Sequence, residues 1–254
     1  MANKRFMILS GPSCVGKGPL VAALNRFHPD VEYAQIPVIK SKESRPKGPR
    51  PEEKAVWNNP DYFRTKAEIL ELSNPPYLVG DCRGLPQAVD LRKVEEADAD
   101  LLFIEVYHAI GAKLIESTFL TDVGITTVFV APIGRQEIED LQAAEVDMPG
   151  YLTGIMLHKQ LTRARYQCKL VDTALVADAR ARAEDTIFEL RSGCEYSHVI
   201  VNQDGEGSPN WHRLPSGVFT AQPEGDARRA LSAVLHILGE SGAAEAENWN
   251  TLKL

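Results

Sequence analysis

Short apolar runs alternate with longer amphipathic stretches along this chain. Each run is bounded by glycine, proline or polar residues and predicts a buried strand. The predicted strands are 5–10, 33–39, 77–79, 101–106, 126–130 and 198–201. Between them, apolar positions spaced three and four residues apart indicate helices. The predicted helices are 19–27, 63–72, 85–97, 109–117, 136–143 and 226–238, together with a long helix-rich stretch at 155–190.

Strands that alternate with helices indicate an α/β fold, in which a parallel sheet is covered by helices on both faces. Ligands of such sheets bind beyond the carboxyl ends of the strands. The loops after Ser10, Ile39, Ile104 and Val130 are therefore the ones in which a binding site is expected.

Three stretches lack a clear hydrophobic period. Residues 40–60 are polar, basic and rich in proline, which predicts a loop region that carries function or disorder. Residues 146–153 break the helical pattern at Pro149 and Gly150. Residues 239–254 are expected to form a loosely ordered tail.

Composition narrows the class of protein. The chain has 254 residues, of which 44% are hydrophobic and 25% charged, as in ordinary globular proteins. Its net charge of −7 argues against a general nucleic-acid or membrane-surface binder. No apolar run approaches the roughly 20 residues of a membrane span. The four cysteines and six histidines show no paired metal-ligand spacing, which argues against structural zinc and fits a reducing compartment. We therefore expect a cytoplasmic protein.

Residues 11–18, Gly-Pro-Ser-Cys-Val-Gly-Lys-Gly, match the phosphate-binding P-loop pattern up to its last position. Glycines let backbone amides turn toward phosphate oxygens, and the following helix adds its positive N-terminal end. The match follows a predicted strand and precedes a predicted helix, as this chemistry requires; the alternative is a glycine-rich turn with a chance lysine. The predicted ATP-binding residues of this loop are Gly11, Ser13, Cys14, Val15, Gly16, Lys17, Gly18 and Pro19.

Gly18 departs from the P-loop pattern. That position normally holds a serine or threonine, whose hydroxyl ligates the Mg²⁺ that bridges the terminal phosphates. Here the metal must be held by water or by another side chain. We expect ATP and Mg²⁺ as cofactors, with ATP binding less affected by the departure than turnover, and we predict no metal site made of protein ligands alone.

Beyond this loop the chain resembles the guanylate kinases, a family of P-loop nucleoside monophosphate kinases. Its first strand and P-loop are similar to theirs almost position by position. Residues 41–53 resemble the family's segment of serine, threonines, arginine, proline and arginine, and 61–63 resemble its Asp-Tyr-x-Phe step. Residues 102–105 fall where the family has a strand that ends in aspartate, and 195–202 resemble its Tyr-Asp-x-Val-Ile-Val-Asn strand. The ordered set spans roughly residues 5–204.

The resemblance implies a P-loop NTPase core with a parallel sheet flanked by helices, an inserted nucleoside-monophosphate-binding domain and a helical lid. Carried onto this chain, the core is 1–39, 98–142 and 179–240. The acceptor-binding insertion is 40–97, the lid 143–178 and the tail 241–254. The implied reaction is transfer of the γ-phosphoryl group of ATP to GMP or a related nucleotide. The implied partners are small-molecule nucleotides, with no nucleic acid and no membrane, and the oligomeric state stays open.

The resemblance also implies roles for individual residues. The acceptor's phosphate would be held by Ser41, Arg45, Arg50 and Tyr62. The charge pattern is consistent with a phosphate site, because this segment has a local basic cluster in an acidic protein and arginine binds phosphate well. The alternative is a solvated basic loop without a ligand. The cluster comprises Lys40, Lys42, Arg45, Lys47 and Arg50.

The resemblance implies cationic residues at the transferring phosphoryl group as well. Lys17 would act there, together with the lid arginines Arg163 and Arg165 and with Arg182 on the following helix, for which Arg180 is an alternative. Lys159 is a further candidate within the lid. Asn202 would lie near the adenine.

The guanine-reading positions of the family are altered in this chain. Arg83 stands where the family has tyrosine, and Leu85 where it has a hydroxyl residue. Asp81 is a candidate carboxylate for contact with the base, and Glu105 is a candidate either for contact with the base or for orienting Mg²⁺-bound water. Two other functions therefore stay open: a kinase that acts on a different phosphorylated small molecule, and a non-enzymatic interaction module, toward which Gly18 points.

Overall fold

The computed structural model describes residues 4–45, 48–49, 53–72, 75–167, 169–239, 242 and 245–254. Within them the strands are β1 (Arg5–Ser10), β2 (Ala34–Gln35), β3 (Val38–Ser41), β4 (Phe63–Arg64), β5 (Tyr77–Cys82), β6 (Leu85–Asp90), β7 (Leu101–Glu105), β8 (Gly124–Ala131) and β9 (His198–Val201). The helices are α1 (Lys17–Phe27), α2 (Lys66–Leu70), α3 (Arg92–Glu96), α4 (His108–Ile115), α5 (Arg135–Ala143), α6 (Met148–Tyr166), α7 (Thr173–Glu184), α8 (Thr186–Ser192) and α9 (Gly225–Leu238). None of these helices is long and apolar enough to cross a bilayer.

Two units divide the chain. As far as its residues are described, the first comprises Met1–Leu9 and Glu32–Thr126, and the second Ser10–Val31 and Thr127–Leu254. In the first unit β7 pairs in parallel with β1 on one side and with β2 on the other. A second sheet has the order β4-β3-β6-β5, in which β3 and β5 run antiparallel to β6.

Continuous burial explains why the first strand could be predicted. Residues 6–10 of β1 are all buried, as expected of a parallel strand that is covered on both faces. In the first unit the strand residues Phe6, Ile8, Leu102 and Ile104 pack in one apolar cluster with α4. The burial of that cluster fixes the carboxyl end of β7, where Glu105 is exposed.

In the second unit β8 and β9 pair in parallel. Phe129 of β8 packs edge-on against Tyr196, with the ring centroids 5.4 Å apart. Helix α9 buries one face at positions such as Ala227, Leu231 and Val234, the spacing that predicted it.

The predicted strand 33–39 is two short strands in different sheets. β2 ends at Gln35 and β3 begins at Val38. Between them lies Pro37, which has no N–H to donate to a sheet ladder. The prediction of one strand was wrong because it ignored this interruption.

The predicted helix 85–97 was also wrong. The structure has strand β6 followed by the one-turn helix α3. Arg83 and Gly84 both have positive φ values, 55° and 79°, which is the backbone of a two-residue hairpin turn. That turn pairs β5 with β6, so tertiary pairing overrides the weak helical spacing. The predicted helix 63–72 is shortened in the same way, since β4 precedes α2 and Thr65 caps the helix.

The break predicted at 146–153 is the start of a helix. Helix α6 begins at Met148 with proline in its first turn, where a missing N–H costs no hydrogen bond. The helix-rich stretch that was predicted at 155–190 is three helices, α6, α7 and α8.

The predicted loose tail is packed in its described part. Trp249 is fully buried in the cluster that contains Phe129 and Tyr196. Glu247 forms backbone hydrogen bonds with Val199 of β9 in both directions, at 2.7 and 2.8 Å. The tail was wrongly predicted because polar residues outnumber its apolar anchors, which are Trp249 and the partly buried Leu252 and Leu254.

Replacing Trp249 tests this packing. Trp249→Ala should lower the free energy of unfolding by about 3–5 kcal/mol, because it removes a large buried aromatic side chain and leaves a cavity. Urea denaturation followed by circular dichroism measures the change. Lys253→Ala, at an exposed position, is the control and should stay within about 0.5 kcal/mol. Equal stability of the two variants would contradict a packed tail.

Candidate functional site

The loop of residues 11–18 connects β1 to α1 by a backbone that few residues can adopt. Gly11, Cys14 and Gly16 have φ values of 138°, 72° and 99°. A Cβ atom at Gly11 would lie 2.3 Å from the carbonyl oxygen of Val130, so only glycine fits there. The glycines of the motif are therefore required by the fold of the loop itself.

Hydrogen-bond donors gather in this loop. Among the described residues, no acceptor meets the backbone N–H groups of Cys14, Gly16, Lys17 and Gly18. The Lys17 ammonium donates to the carbonyl oxygens of Gly11 and Pro12, at 2.7 and 2.9 Å, so it lies against the loop. Amides at a helix N-terminus beside a lysine form a site for a phosphate chain.

A segment that the sequence left unexplained supports the loop. Asn202 is fully buried, and its Nδ2 donates to the carbonyl of Val15 at 2.7 Å. The N–H of Glu206 donates to the carbonyl of Cys14 at 3.0 Å. Trp211 is buried and donates from Nε1 to the carbonyl of Gly205 at 2.9 Å. Residues 202–211 thus fasten the loop by two of its carbonyls.

Asn202 occupies a structural position. Besides its bond to Val15, its Oδ1 accepts the N–H of Asp204 at 3.1 Å. Both ends of this amide therefore bind backbone groups of the protein. Its predicted place near adenine stays a prediction. The segment after it was missed because a buried tryptophan in a polar stretch looks like an ordinary surface anchor.

Three cations act on the pKa of Cys14 in the loop. Burial raises the pKa of the Cys14 thiol to about 11, while the positive charges of Arg163, Lys17 and Arg182 oppose this rise. The roles of these three cations at a transferring phosphoryl group stay predictions. Cys14 itself donates to Gln160 Oε1 at 2.9 Å and behaves as a structural thiol.

The two arginines of the predicted lid have different surroundings. Arg163 forms an ion pair with Glu206, at 2.9 Å between Nη1 and Oε2, and its Nη2 donates to Gln160. Arg165 is exposed. Two residues of separation place Arg163 and Arg165 on nearly opposite faces of α6, so only one of them can face the loop. Arg182 pairs with Asp178 at 2.9 Å one turn earlier on α7, and Arg180 is exposed.

Lys159 is buried beneath the supporting segment. Its Nζ donates to the carbonyl of Asn202 at 3.2 Å. Burial lowers the pKa of this lysine to about 8, against the opposing charges of Asp204 and Asp226. This position makes it a supporting residue rather than one that reaches a phosphate.

An open cavity of about 470 Å³ adjoins this segment in the second unit. Its walls include the apolar side chains of Pro132, Ile133 and Ile155. Glu137 lies at its polar edge and accepts from Tyr151 Oη at 2.8 Å. The cavity therefore combines apolar walls with a few fixed polar groups, as small-molecule sites do.

The candidate acceptor residues lie in the first unit. Ser41 ends β3 and is buried, and its hydroxyl donates to Glu43. Tyr62 is partly exposed, and its carbonyl accepts from Lys40 on the same strand pair. Arg45 pairs with Glu53 through two parallel bonds, Nε to Oε2 at 2.9 Å and Nη2 to Oε1 at 2.7 Å. Arg50 and Lys47, also predicted here, lie outside the described residues.

The candidate base-reading residues sit on a hairpin and a strand end. Asp81 is exposed, and its Oδ1 accepts the N–H of Gly84 at 2.8 Å, so it closes the β5–β6 turn. The guanidinium of Arg83 lies 5.3 Å from the centre of the Tyr107 ring. Glu105 is exposed at the end of β7. In the described residues, no group of three or more His, Cys, Asp or Glu side chains is placed to hold a metal ion.

Comparison with known proteins gives relatives of one kind. No protein-family model matches the chain. The guanylate kinase of Synechococcus sp. (strain JA-3-3Ab) is 32% identical over 141 residues, which cover 53% of this chain and 58% of that protein. The guanylate kinase of Trichodesmium erythraeum (strain IMS101) is 28% identical over 198 residues, covering 75% of this chain and 95% of that protein. The chain thus spans less than two thirds of the first relative and nearly all of the second.

A solved structure agrees with the fold. The crystal structure of guanylate kinase from Anaplasma phagocytophilum matches with a TM-score of 0.50 at 14% identity, covering 97% of this chain and 91% of that one. At such an identity the likeness concerns the fold alone. The predicted α/β fold with a parallel sheet flanked by helices is confirmed.

The backbone of the loop glycines gives a prediction on stability. Gly16→Ala should lower the free energy of unfolding by about 2–4 kcal/mol, because it combines a left-handed φ with the loss of a buried hydrogen bond. Its Cβ would lie 2.4 Å from Asn202 Nδ2, the atom that bonds Val15. Thermal and urea unfolding measure the loss.

Gly18→Ala is the matched control for Gly16→Ala. A Cβ at Gly18 meets no atom closer than 3.9 Å, so stability should change by no more than about 0.5 kcal/mol. Should the two alanine variants be equally stable, the loop does not have the described backbone.

The buried Lys159 gives a prediction on how the stability of the protein depends on pH. Below pH 8 the folded and unfolded chains both carry the Lys159 proton, and the burial penalty is fully present. Between pH 8 and 10.5 the folded chain releases this proton first, so the parent gains stability relative to Lys159→Met. The gain should reach about 3 kcal/mol at pH above 10.5. Urea unfolding of both proteins across this range gives the difference, and parallel curves would contradict a buried ammonium.

Proposed function

We propose that this chain is a divergent member of the guanylate kinase family, and that it transfers the γ-phosphoryl group of ATP to a nucleoside monophosphate, with GMP as the first acceptor to test. The observation that carries this proposal is the loop of 11–18. There, backbone amides that meet no acceptor among the described residues lie beside Lys17, and the charges of Arg163 and Arg182 act on Cys14 of the same loop. A phosphate-binding loop that is surrounded by cations suits the transfer of a charged phosphoryl group.

The chain's own residues have simple tasks in such a transfer. The loop amides and Lys17 bind the terminal phosphates of ATP and fix their position. Arg163 and Arg182 offset the negative charge that spreads over the transferring group. No covalent enzyme intermediate is needed, because phosphoryl transfer depends chiefly on positioning and charge. When bound, Mg²⁺ neutralises charge on the β- and γ-phosphate oxygens.

The apolar cavity of the second unit is the proposed site for the base of ATP. Gln203, which lines the cavity, belongs to the segment 202–211 that fastens the loop. Lys159, which also lines it, donates to the carbonyl of Asn202 in that segment. Flat apolar walls such as Pro132 and Ile133 suit a purine ring. Polar groups at its edge, Glu137 and Gln203, would then orient the ring.

Arg45 is the proposed anchor of the acceptor's phosphate. Glu53 is buried and fixes the guanidinium in one orientation through two bonds. A guanidinium has five N–H donors, so those that Glu53 and Ser44 do not use remain for a phosphate oxygen. Ser41 and Tyr62 complete this proposed phosphate site. Arg50 is proposed for it from the family alone.

One observation favours a second candidate, a kinase of a different phosphate ester. In the β5–β6 hairpin the Asp81 carboxylate is engaged by a turn amide and Arg83 stacks on Tyr107. A base is read by paired donors and acceptors, and altering them changes which substrate is accepted. An arginine stacked on a ring instead suits an anionic or flat group. The acceptor panel below therefore includes both classes.

The decisive experiment is an ADP-release assay coupled to NADH oxidation, run with ATP, Mg²⁺ and single acceptors. GMP, the other nucleoside monophosphates and a set of sugar phosphates are compared at equal concentration. We expect stimulation by GMP or a related nucleotide. Stimulation by non-nucleotide esters alone would favour the second candidate. If no acceptor stimulates ADP release, the kinase function is refuted and an interaction module is left.

The variant Lys17→Met tests whether the lysine of the loop is needed for phosphoryl transfer. It should lower kcat at least about 100-fold, because one charge at the transferring group is removed. Its circular dichroism spectrum should equal that of the parent, since the methionine chain keeps the aliphatic volume. Lys253→Met, at an exposed position, is the control and should keep the parental rate. A Lys17→Met enzyme with parental kcat would contradict the assignment of the loop.

A further inference from the structure

A carboxylate lies beside Gly18, which has no side chain of its own. Gly18 is exposed, in the position where the P-loop pattern has a hydroxyl that ligates Mg²⁺. Within 4 Å of a Cβ built at Gly18 there is one heavy atom, Glu206 Oε1, at 3.9 Å. An oxygen of the kind that Mg²⁺ prefers therefore stands next to the missing ligand.

Glu206 is fixed in this position by its backbone. Its N–H donates to the Cys14 carbonyl at 3.0 Å, inside the loop itself. The preceding Gly205 has a φ of 21° and approaches the same carbonyl so closely that a Cβ would lie 3.2 Å from it. Trp211 then holds the segment by bonds to the carbonyls of Gly205 and Asp204. The carboxylate is thus carried by a rigid part of the chain.

The two oxygens of Glu206 are in different situations. Oε2 is paired with Arg163 at 2.9 Å. Oε1 accepts no hydrogen bond from the described residues, and the side chain is about a quarter exposed, at 28%. The oxygen that points to Gly18 is therefore available to a cation.

The negative charge of Glu206 is unexpected beside a loop that binds phosphate. It repels a triphosphate, so it weakens ATP binding unless a cation lies between them. Arg163 offsets one oxygen, but the oxygen next to Gly18 has no such partner. A divalent ion that arrives with the nucleotide would reverse the repulsion.

We propose that Glu206 ligates the Mg²⁺ that accompanies ATP, directly or through a bound water, in place of the hydroxyl that Gly18 lacks. This rests on the proposed ATP site but adds a ligand from outside the P-loop. It also gives a function to residues 203–211, which lie outside the predicted helices, strands and motifs. The competing explanation is that Glu206 only positions Arg163.

These explanations are separated by calorimetric titration of the protein with ATP under two conditions, one with Mg²⁺ and one with EDTA in place of the metal. In the parent, Mg²⁺ should strengthen ATP binding. In Glu206→Gln, binding without metal should become stronger, because the repulsion is gone. The strengthening by Mg²⁺ should fall about tenfold, because a charged oxygen ligand is replaced by an amide. Opposite changes in the two conditions are the mark of a metal ligand.

Two further variants complete the design. Gly18→Ser/Glu206→Gln should regain the Mg²⁺ effect, because the hydroxyl returns to the usual place. Arg163→Met is the control for the positioning role, and it should weaken ATP binding with and without metal alike. Mn²⁺, read by electron paramagnetic resonance in the presence of ATP, gives a direct count of bound metal. Its affinity should fall in Glu206→Gln and recover in the double variant.

The outcomes are distinct. If Mg²⁺ strengthens ATP binding equally in the parent and in Glu206→Gln, the inference is overturned while the proposed function stands. If Glu206→Gln behaves as Arg163→Met does, Glu206 only positions the arginine, and the inference is again overturned. If ATP does not bind to the folded parent in either condition, the proposed function itself fails.

Discussion

The hydrogen bond from Asn202 to the carbonyl of Val15 holds together the part of the molecule that can bind phosphate. A loop whose amides face outward toward an anion must turn its carbonyls the other way, where buried carbonyls need donors. Asn202 and the N–H of Glu206 meet the carbonyls of Val15 and Cys14. Because Asn202 lies directly after β9, the pairing of β9 with β8 fixes the position of that donor. The site therefore depends on strand pairing far along the chain from the motif.

Charge is balanced around this loop by residues from several helices. Lys17, Arg163 and Arg182 bring positive charge to it, while Glu206 brings one negative charge. Lys159 adds a buried ammonium whose lowered pKa records the cost of desolvation. A loop with so much positive charge would be strained by self-repulsion without an anion. The ion pair between Arg163 and Glu206 relieves part of that repulsion, and a phosphate would relieve more.

The sequence predicts the parts of the fold that local pattern determines. The P-loop, β1, β7, β9 and α9 follow from buried runs and spacing, whereas the roles that the resemblance implies for Arg163 and Arg182 stay predictions. The hairpin of β5 and β6 could not be predicted in this way, because its strands are stabilised by pairing rather than by local propensity. The roles of Glu206 and Trp249 depend on contacts more than 100 residues away along the chain, Glu206 with Cys14 and Trp249 with the cluster around Phe129. No local pattern records such contacts.

Two kinds of recognition in this chain place different demands on it. Phosphate is recognised by backbone amides and by cations, which tolerate many neighbouring sequences as long as the backbone conformation is kept. A base is recognised by individual side-chain donors and acceptors, and each substitution there changes the ligand that fits. The loop of 11–18 keeps its glycines because a Cβ at Gly11 or Gly16 collides with fixed atoms. Gly18 is free of such a collision, so the metal-binding hydroxyl can be exchanged at this position if another oxygen takes over its task. Glu206, whose Oε1 lies 3.9 Å from a Cβ built at Gly18, is the residue that we propose for that task.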